Sequence, residues 1–384
     1  MKRIHVVLPT STLTQRQLLE GLLAYAHDKP GDRWQLQLDL HDLNRQHMRN
    51  LKSWNCQGVI AYILSARERR DFIATGLPAV FVEPTLSRPL ARQPRNVATF
   101  INDHAEEGRT AARYFMERRY RSFAYIGTAK PTFWSDERLN GFSEQLASGG
   151  FRPCIYPIPP LKAQNDFALE SRILTQWLRR LPKPTALFCV HDRRAQQVIA
   201  TALSADLNVP NDLAVLGVDN DELLCNMTVP SISSIPVSYH EQGRLVGETL
   251  EALILHRKTE RVFVSRHTSV ITRRSTDANA ILDAFVARAV AYLQTHLQDR
   301  PTLYEIAAAA GCSNTELARR TRIEFGHSLG EEKTRMQLSL AVDMLRNTSK
   351  TVDDIAKSCG FCGASHLGLR FKAVLGKSPK SFRP

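Results

Sequence analysis

Near its end the chain carries one pattern twice, as TLYEIAAAAG at residues 302–311 and, 49 positions later, as TVDDIAKSCG at residues 351–360. Each copy has a threonine that can cap a helix, apolar residues one turn apart, an alanine and a turn glycine. A second helical run rich in Arg and Lys follows each glycine, Asn314 to Phe325 before Gly326 and Ala364 to Leu375 before Gly376. This is the pattern of a helix-turn-helix unit. Two such units predict binding to double-stranded DNA.

Length and charge fit this prediction without proving it. The 384 residues exceed what one hydrophobic core usually organises, which favours two or more domains. The net charge of +13 favours an anionic partner but does not choose between nucleic acid, a membrane and an acidic protein. The last 107 residues have 15 Lys+Arg against 10 Asp+Glu, and the first 277 have 36 against 28. The basic excess is therefore only modestly denser in the tail.

The composition argues against export and against metal chemistry. The apolar run within Met1 to Pro9 is too short for a signal peptide. No apolar run in the sequence approaches the length of about 20 residues that a helix needs to cross a bilayer. We therefore expect a cytoplasmic protein that makes no membrane contact. Seven cysteines, an odd number, indicate reduced thiols. Cys359 and Cys362 lack two further ligands at short spacing, so we expect packing and turn positions and no metal site.

No motif nominates an enzyme or a cofactor. The chain has no phosphate-binding glycine loop ending in Lys-Ser/Thr, and its twelve histidines show no paired metal-ligand spacing next to an acid.

The front of the chain alternates short apolar runs with amphipathic ones, which predicts an α/β fold with parallel strands. The predicted strands are Ile4 to Leu8, Trp34 to Leu40, Gly58 to Leu64, Ala79 to Val82, Val97 to Ile101, Phe123 to Gly127, Ala186 to Val190 and Ala214 to Val218. The predicted helices are Gln15 to His27, His104 to Arg118, Arg138 to Ser148, Leu169 to Leu181, Arg194 to Ser204 and Ser238 to His256, before a closing β segment from Val262 to Ile271.

The number of predicted strands and helices is too large for one sheet. It predicts two similar lobes with a cleft between them. We place one lobe mainly before Asp103 and the other from about His104 to Ser231, after which the chain returns to the first lobe. In open α/β sheets ligands bind beyond the carboxyl ends of the strands.

Three aspartates follow predicted strands, and each has a structural alternative. Asp103 fits a capping box with Glu106. Asp192 suits either ligand binding or capping of the helix that begins near Arg193. Asp219 stands in the acidic run Asp219-Asn220-Asp221-Glu222, parts of which must be solvated, but its place at a strand end favours ligand binding.

Trp134 and Arg138 share one face of a helical turn just after a strand. A flat apolar ring beside a forked donor suits a sugar, which offers an apolar C–H face and vicinal hydroxyls. The alternative is that Trp134 packs between lobes while Arg138 pairs with Asp136 or Glu137.

Two resemblances cover nearly the whole chain. From about Phe285 to Pro384 the tail resembles the AraC family DNA-binding domain, most specifically in Ile355-Ala356, Cys359-Gly360-Phe361, Leu369-Arg370-Phe371-Lys372 and Gly376-Lys377-Ser378-Pro379. The family's two units are joined by a long helix, which here is Leu329 to Leu345. The front resembles the LacI type periplasmic-binding-protein fold, through Trp134-x-x-x-Arg138-x-x-Gly141-Phe142 and Leu216-Gly217-Val218-Asp219-Asn220.

The sequence departs from the AraC pattern at a few positions. Thr321 stands where the family usually has Phe in the first recognition helix, which removes a core aromatic residue. Ser328-Leu329 replaces the usual Ser-Pro, and Leu367 replaces the usual aromatic residue in the second recognition helix. We interpret these changes as repacking, and they weaken the prediction for the first unit most.

For the front, the resemblance implies a sugar sensor. Arg138, Asp192 and Asp219 fall where sugar-sensing members bind hydroxyls, and Gln15 and Arg16 lie in the corresponding first loop, Pro9 to Gln17. The expected effector is xylose or another pentose. One known sensor has an acid in place of Gln15, which leaves the sugar open.

The resulting hypothesis is a transcription activator with a sensor domain at 1–277, a linker at 278–284 and a DNA-binding domain at 285–384. A sugar bridging both lobes would favour the closed form and, in a homodimer, would change the geometry of the two DNA-binding tails. RNA polymerase would be a further partner of an activator.

Each recognition helix would lie in a major groove of DNA. In the first we expect Asn314, Thr315 and Arg319 at base edges, with Arg320 or Arg322 near phosphates. In the second we expect Ser365 and His366 to be exposed polar residues, with Lys372 near phosphates.

Two other functions fit parts of the sequence. A sugar-binding or sugar-metabolising protein with a tail for protein contacts explains the front but not the repeated turn and basic helix. A sugar-responsive repressor explains both, because activation depends on where the operator lies.

Overall fold

The computed structural model describes residues 1–8, 12–28, 34–39, 51, 54–63, 66–82, 94–129, 132–157, 159–164, 166–277, 281, 283–348 and 350–383. Within them the predicted fold class is confirmed: two parallel-sheet lobes precede an all-helical domain with two helix-turn-helix units. The ends of the predicted strands at Leu40 and Leu64 and residues 9–11 of the loop Pro9 to Gln17 lie outside the described residues. No helix of the described chain is both long and apolar enough to span a membrane.

The first lobe is built on six parallel strands. They are β1 (Lys2–Val7), β2 (Trp34–Asp39), β3 (Gly58–Tyr62), β4 (Ala79–Val82), β5 (Val97–Asn102) and β11 (Val262–Ser265), and the helices around them are α1 (Leu13–His27), α2 (Ala66–Ala74) and α9 (Tyr239–Ile254). Their order across the sheet is β11-β5-β4-β3-β1-β2. Helices α1 and α9 cross so closely that a Cβ atom on Gly21 would lie 1.9 Å from the His240 carbonyl oxygen.

The second lobe has a smaller parallel sheet. Its strands are β6 (Ser122–Ile126), β7 (Cys154–Ile155), β8 (Thr185–Cys189), β9 (Leu213–Asp219) and β10 (Ser233–Pro236), and its helices are α3 (His104–Glu117), α4 (Phe133–Ser148), α5 (Leu161–Gln164), α6 (Phe167–Arg180), α7 (Asp192–Ser204) and α8 (Glu222–Met227). The sheet order is β10-β9-β8-β6-β7. A Cβ atom on Gly141 of α4 would lie 1.9 Å from the Ala105 carbonyl oxygen, so this glycine lets α3 and α4 touch.

The predicted return to the first lobe after Ser231 is wrong by one strand. Strand β10 (Ser233–Pro236) adds to the second sheet, and the chain returns only afterwards, through α9. The predicted closing β segment also divides. Val262–Ser265 joins the first sheet, whereas Ile271 pairs with Ser234 in the second lobe. The chain therefore passes between the lobes three times.

The helical domain follows the repeated pattern closely. Its helices are α10 (Ala284–His296), α11 (Leu303–Ala310), α12 (Asn314–Phe325), α13 (Leu329–Asn347), α14 (Val352–Ser358) and α15 (Ala364–Leu375). Asp283 caps α10 by accepting from Phe285 and Val286 N–H, so the helical domain begins within the predicted 278–284 linker. Residues 278–280 and 282 of that linker lie outside the described residues.

Capping residues and turn glycines define the two units. Thr302 forms a capping box with Glu305, and Thr351 accepts from the Asp354 N–H. Gly311 and Gly360 both take φ +78° and end their helices in the left-handed region. The first turn then has three residues and the second four, so equivalent positions lie 49 apart before the turn and 50 apart after it.

Candidate effector cleft and nucleic-acid interface

A cleft of about 530 Å³ lies between the two lobes. The first lobe contributes the start of α1, and the second contributes the start of α7 and the end of β9. All six residues predicted to bind a ligand line this cleft: Gln15, Arg16, Trp134, Arg138, Asp192 and Asp219. Their roles remain predictions, because position alone does not show that they bind a ligand.

Arg138 is held rigidly at the cleft wall. Its side chain is 3% exposed, and Nε donates to Glu107 Oε2 at 2.6 Å while Nη1 donates to the Val190 carbonyl oxygen at 2.6 Å. The guanidinium carbon lies 5.3 Å from the centre of the Trp134 ring. The structural alternative, pairing with Asp136 or Glu137, is wrong, because the buried partner of Arg138 comes from α3. The fixed guanidinium and the indole ring form one continuous wall.

Glu107 is the buried counter-charge of this wall. It is fully buried and also contacts His104 Nδ1 at 3.1 Å. Burial raises the pKa of Glu107, but the charges of Arg138 and His104 outweigh burial and hold this pKa at about 2. The pKa of Arg138 is lowered by burial and raised by Glu107 and Asp219, with a net increase. Both groups therefore stay ionised at neutral pH.

Asp192 lies at the cleft wall but is largely engaged inside the protein. It is 1% exposed, its Oδ1 accepts from Ser234 Oγ at 2.6 Å, and its Oδ2 accepts from the Asp221 N–H at 2.8 Å. The alternative role as a helix cap is wrong: α7 begins at Asp192, and the cap is His191, whose Nδ1 accepts from the Arg194 N–H at 3.0 Å. Asp192 instead ties three segments of the second lobe together.

His191 also borders the cleft, although the sequence did not single it out. Burial and the nearby Arg138 charge lower its pKa to about 4, so the ring is neutral at pH 7. Because Nδ1 accepts a hydrogen bond, the proton of the neutral ring sits on Nε2. The ring centre lies 6.1 Å from that of Trp134. His191 thus adds a neutral donor to the same wall.

Asp219 ends β9 in a left-handed conformation, with φ 102°. A side chain seldom adopts this backbone geometry, and such residues concentrate at functional sites. Tyr239, the first residue of α9, donates from its hydroxyl to Asp219 Oδ1 at 3.4 Å. This bond joins the second lobe to a segment that crosses between lobes. A movement that closes the lobes would therefore change the surroundings of the Asp219 carboxylate.

Other cleft residues carried no sequence signal. They are Thr12, Thr14, Tyr62, His104, Thr128, Gln196, Asp221 and Tyr239. Asp103, by contrast, does not border the cleft. It caps α3 by accepting from the Glu106 N–H at 3.0 Å and pairs with Arg109 and Arg266. Asp103 therefore caps α3 as predicted, but the predicted capping box with Glu106 is not completed, because the Asp103 N–H donates to the Ser265 carbonyl oxygen at 2.8 Å.

Helix α12 presents a polar face away from its core. Leu317 and Thr321 are buried, whereas Asn314, Thr315, Arg319 and Arg322 are exposed on the other side. Arg319 is held by Glu316, to which Nε donates at 3.0 Å and Nη2 at 2.9 Å. This face has the geometry that a recognition helix needs in a major groove.

Helix α15 repeats the arrangement with different chemistry. Leu367 and Phe371 are buried, and Ser365, Leu369, Arg370 and Lys372 are exposed. His366 is only half-buried, because its ring packs edge-on against Phe361 with centres 5.4 Å apart. His366 is thus less exposed than predicted, and its contact with DNA stays a prediction.

Known proteins resemble both parts of the chain. A family model described as a periplasmic binding protein-like domain matches residues 112–276, and one described as a helix-turn-helix domain matches residues 306–384. The xylose operon regulatory protein of Escherichia coli strain K12 is 25% identical over 99% of this chain and 96% of its own length. Its namesake from Haemophilus influenzae is 26% identical over 71% of each chain.

A solved structure described as the xylose-binding transcription activator xylR shares the fold. It covers 99% of this chain and 97% of its own, with a TM-score of 0.79 and 23% identity. The chain is a DNA-binding transcription regulator with a periplasmic binding protein-like domain and a helix-turn-helix domain. These two proteins, which match 99% of the chain, are described as an operon regulatory protein and a transcription activator.

Arg320, which was predicted to lie near phosphates, has partners inside the helical domain, and its contact with DNA stays a prediction. Arg320 donates to Glu316 at 2.6 Å and to Asp283 at 2.7 Å, and its guanidinium lies 4.5 Å from the centre of the Phe285 ring. It therefore joins α12 to the start of α10. The exposed Arg322 is better placed for a phosphate contact.

The departures of the regulator from the AraC pattern are accommodated inside its helical domain. Thr321 is fully buried, and its hydroxyl donates to the Leu317 carbonyl oxygen at 2.7 Å. Leu367 is also fully buried. Cys359 is buried and ends α14, while Cys362 is exposed in the turn. No cluster of metal-ligating side chains occurs within the described residues.

Proposed function

We propose that this regulator activates transcription when a neutral sugar, xylose or another pentose, binds in the interlobe cleft. The observation that carries the proposal is the wall formed by Trp134, Arg138 and His191. An indole face suits the C–H side of a sugar ring, and fixed N–H donors suit its hydroxyls. Arg138 makes its two bonds to Glu107 and Val190 with only two of five N–H groups, which leaves donors for a ligand.

The charge balance of the cleft favours a neutral ligand. Three arginines and three aspartates line it, namely Arg16, Arg138, Arg193, Asp192, Asp219 and Asp221. Arg138 is further compensated by the buried Glu107. A sugar phosphate or an organic acid would require an uncompensated positive site. A polyhydroxylated neutral molecule can instead use both the donors and the carboxylate acceptors.

The effect on DNA would follow from bridging of the lobes. Gln15 and Arg16 belong to the first lobe, Arg138 and Asp219 to the second, and Tyr239 to a crossing segment. A ligand that contacts all of them binds the closed form more tightly and shifts the population toward it. In a homodimer, closure changes the relative placement of the two DNA-binding domains. Only about 1–3 kcal/mol of coupling is needed for a useful response.

The matched proteins support the choice of effector without fixing it. The relatives from Escherichia coli and Haemophilus influenzae are described as xylose operon regulators, and both are distant in sequence. Gln15 is the position at which we expect a different sugar preference. The activator role, a cytoplasmic location and contact with RNA polymerase belong to the same proposal.

A thermal-shift screen tests the sensor. Pentoses, hexoses and their phosphates are added to the full-length protein, and we expect a neutral pentose to stabilise it most. At 100 times its dissociation constant a ligand adds about 2.7 kcal/mol. Arg138→Lys keeps a cation beside Glu107 but removes the fork, so it should lose the shift. Arg109→Lys, a surface change in α3, is the matched control. If none of the sugars or sugar phosphates raises the melting temperature, the sensor proposal is overturned.

A promoter assay separates activator from repressor. The regulator and a reporter carrying its selected operator are compared with and without the stabilising sugar. An activator raises transcription above the level seen without the protein, whereas a repressor only lowers it. A steep loss of DNA binding with added salt is expected in either case, because phosphate contacts release counterions.

A further inference from the structure

The second recognition helix presents a leucine to solvent at the centre of its outer face. Leu369 is 71% exposed, although leucine side chains are usually buried. Ser365 and Lys372 lie four positions before it and three after it, so the three share one face. Leu367 and Phe371, which are fully buried, fix the orientation of the helix. Leu369 is therefore not available to the core of its own domain.

The internal repeat identifies the counterpart of this leucine. After the turn the two units are offset by 50 positions, so the buried Leu317 corresponds to Leu367 and the buried Thr321 to Phe371. By the same offset Leu369 corresponds to Arg319, and Lys372 to Arg322. The two recognition helices thus offer opposite chemistry at one position. One offers a forked cation and the other a branched apolar group.

We propose that Leu369 reads the C5 methyl group of a thymine in the major groove, and that the two halves of the operator therefore differ. The inference rests on the DNA-binding role of the helical domain and not on the sugar. A guanidinium pairs with the acceptor edge of guanine, whereas the thymine methyl is the apolar group that the major groove offers. Gly368 precedes Leu369 and has nothing within 4 Å of its Cβ position, which leaves room for DNA to approach.

The chemistry of the flanking residues supports contact with DNA over contact with a protein. Lys372 is exposed beside Leu369, and Lys377 and Lys380 follow at the exposed end of the same domain. A cationic rim suits phosphates on either side of a groove. On the described part of this face Leu369 is the one large apolar side chain that is exposed, beside the small Ala373, which matches one methyl group better than an apolar protein surface.

Replacing thymine by deoxyuridine tests this reading, because it removes the methyl group and preserves base pairing. Duplexes are first selected from a random-sequence pool by the full-length protein. Thymines in each half of the selected duplex are then replaced in turn. Loss of one buried methyl group should weaken binding about fourfold. We expect the loss in one half of the duplex for the unmodified protein and no loss for Leu369→Ala, which keeps a strong helix former in an exposed position.

Two further variants sharpen the result. Leu203→Ala removes a leucine that is 46% exposed at the far end of α7 in the sensor domain, and it should keep the full effect of the methyl group. Leu369→Arg copies the first unit and should shift the preferred base from thymine toward guanine. The proposal is overturned if the unmodified protein binds both duplexes equally, or if Leu369→Ala still discriminates between them. Neither result would affect the sugar screen.

Discussion

At the scale of single residues, Asp192 shows how a cleft residue can also hold the fold together. It accepts hydrogen bonds from Ser234 on β10 and from the Asp221 N–H before α8, and the Cys225 thiol lies 3.4 Å away. Burial raises the pKa of Asp192 to about 7, and these hydrogen bonds only partly oppose that effect. The carboxyl group is therefore close to half-protonated at neutral pH.

This pKa predicts a pH dependence of stability. Between the ordinary aspartate pKa of 3.8 and the folded value of about 7, the folded chain keeps a proton that the unfolded chain has released. The free energy of unfolding should therefore fall as pH rises through this window, by a few kcal/mol in total. His191 contributes the opposite slope, because its pKa is lowered from 6.5 to about 4. A comparison of variants is needed to separate the contribution of Asp192 from that of His191.

Asp192→Asn imitates the protonated carboxyl group, since its carbonyl can accept from Asp221 while its amide donates to Ser234. The measurement is the melting temperature of both proteins from pH 5 to 8. The melting temperature of the variant minus that of the unmodified protein should increase up to about pH 7 and stay constant above it. Asp206→Asn, at an exposed aspartate, should leave the shape of the curve unchanged. Parallel curves for Asp192→Asn would mean that the group stays ionised in the fold.

The sequence predicted where such residues lie better than what they bond to. Strand ends located Asp192 and Asp219 at the cleft, because carboxyl ends of parallel strands meet there. The sequence could not reveal that His191 and not Asp192 caps α7, because either side chain can accept a hydrogen bond from the same backbone N–H. Nor could it pair Arg138 with Glu107, which lies 31 positions earlier and meets it only when α3 packs on α4.

At the scale of elements, the two arginines at 319 and 320 should behave differently. Arg319 is exposed and held only by Glu316, whereas Arg320 also bonds to Asp283 and lies over Phe285. Arg319→Ala should cost about 1–3 kcal/mol of DNA binding and abolish the preference for guanine at one position. Arg320→Ala, the matched control, should instead lower the stability of the helical domain and leave base preference intact.

Competition binding with duplexes that differ at single base pairs measures the preference, and thermal unfolding measures the stability. An equal loss of affinity for every duplex after Arg319→Ala would show that this side chain contacts phosphates alone. Loss of base preference in Arg320→Ala would mean that its bonds to Asp283 and Glu316 open when DNA binds.

Elements with strong periodicity were predicted within a few residues, and those without it were missed. Helices α12 and α15 have the predicted bounds, because caps, turn glycines and apolar spacing agree there. Strand β10 was missed because Ser233 and Ser234 give it no apolar run. Their buried hydroxyls bond to partners that are distant in sequence, which include the Arg273 carbonyl oxygen and Asp192. The hydrophobic pattern of a sequence therefore cannot predict a buried strand made of polar residues.

At the scale of the whole molecule, exposed hydrogen bonds between described residues join the helical domain to the sensor side of the chain. Arg119 donates to the Glu324 carbonyl oxygen at 3.0 Å, Gln294 donates to Asn211 at 3.2 Å, and Ser339 donates to Asp277 at 2.8 Å. A cavity of about 820 Å³ separates the second lobe from α13. Each exposed bond contributes on the order of 1 kcal/mol or less. The arrangement of the domains can therefore be changed by the energy that one ligand supplies.

These bonds should carry part of the response to the effector. The triple variant Arg119→Ala, Asn211→Ala, Asp277→Ala removes the partners on the sensor side and leaves the cleft unchanged. On α12 it removes a bond to the Glu324 carbonyl oxygen, at the end of the helix away from Asn314 and Thr315. We expect unchanged binding of the stabilising sugar and retained binding to the selected duplex. The ratio of DNA affinities with and without the sugar should move toward one. Fluorescence anisotropy with labelled duplex, at saturating sugar and without it, measures this ratio.

A matched triple variant at exposed sites elsewhere in the sensor domain, Arg67→Ala, Asn140→Ala, Asp206→Ala, should keep the full ratio. Because coupling is reciprocal, the sugar must also bind more weakly or more tightly when DNA is present, by the same factor. Loss of that reciprocal effect in the first triple variant alone would assign the coupling to the domain contacts. A full response in both variants would mean that these domain contacts do not carry the response to the effector.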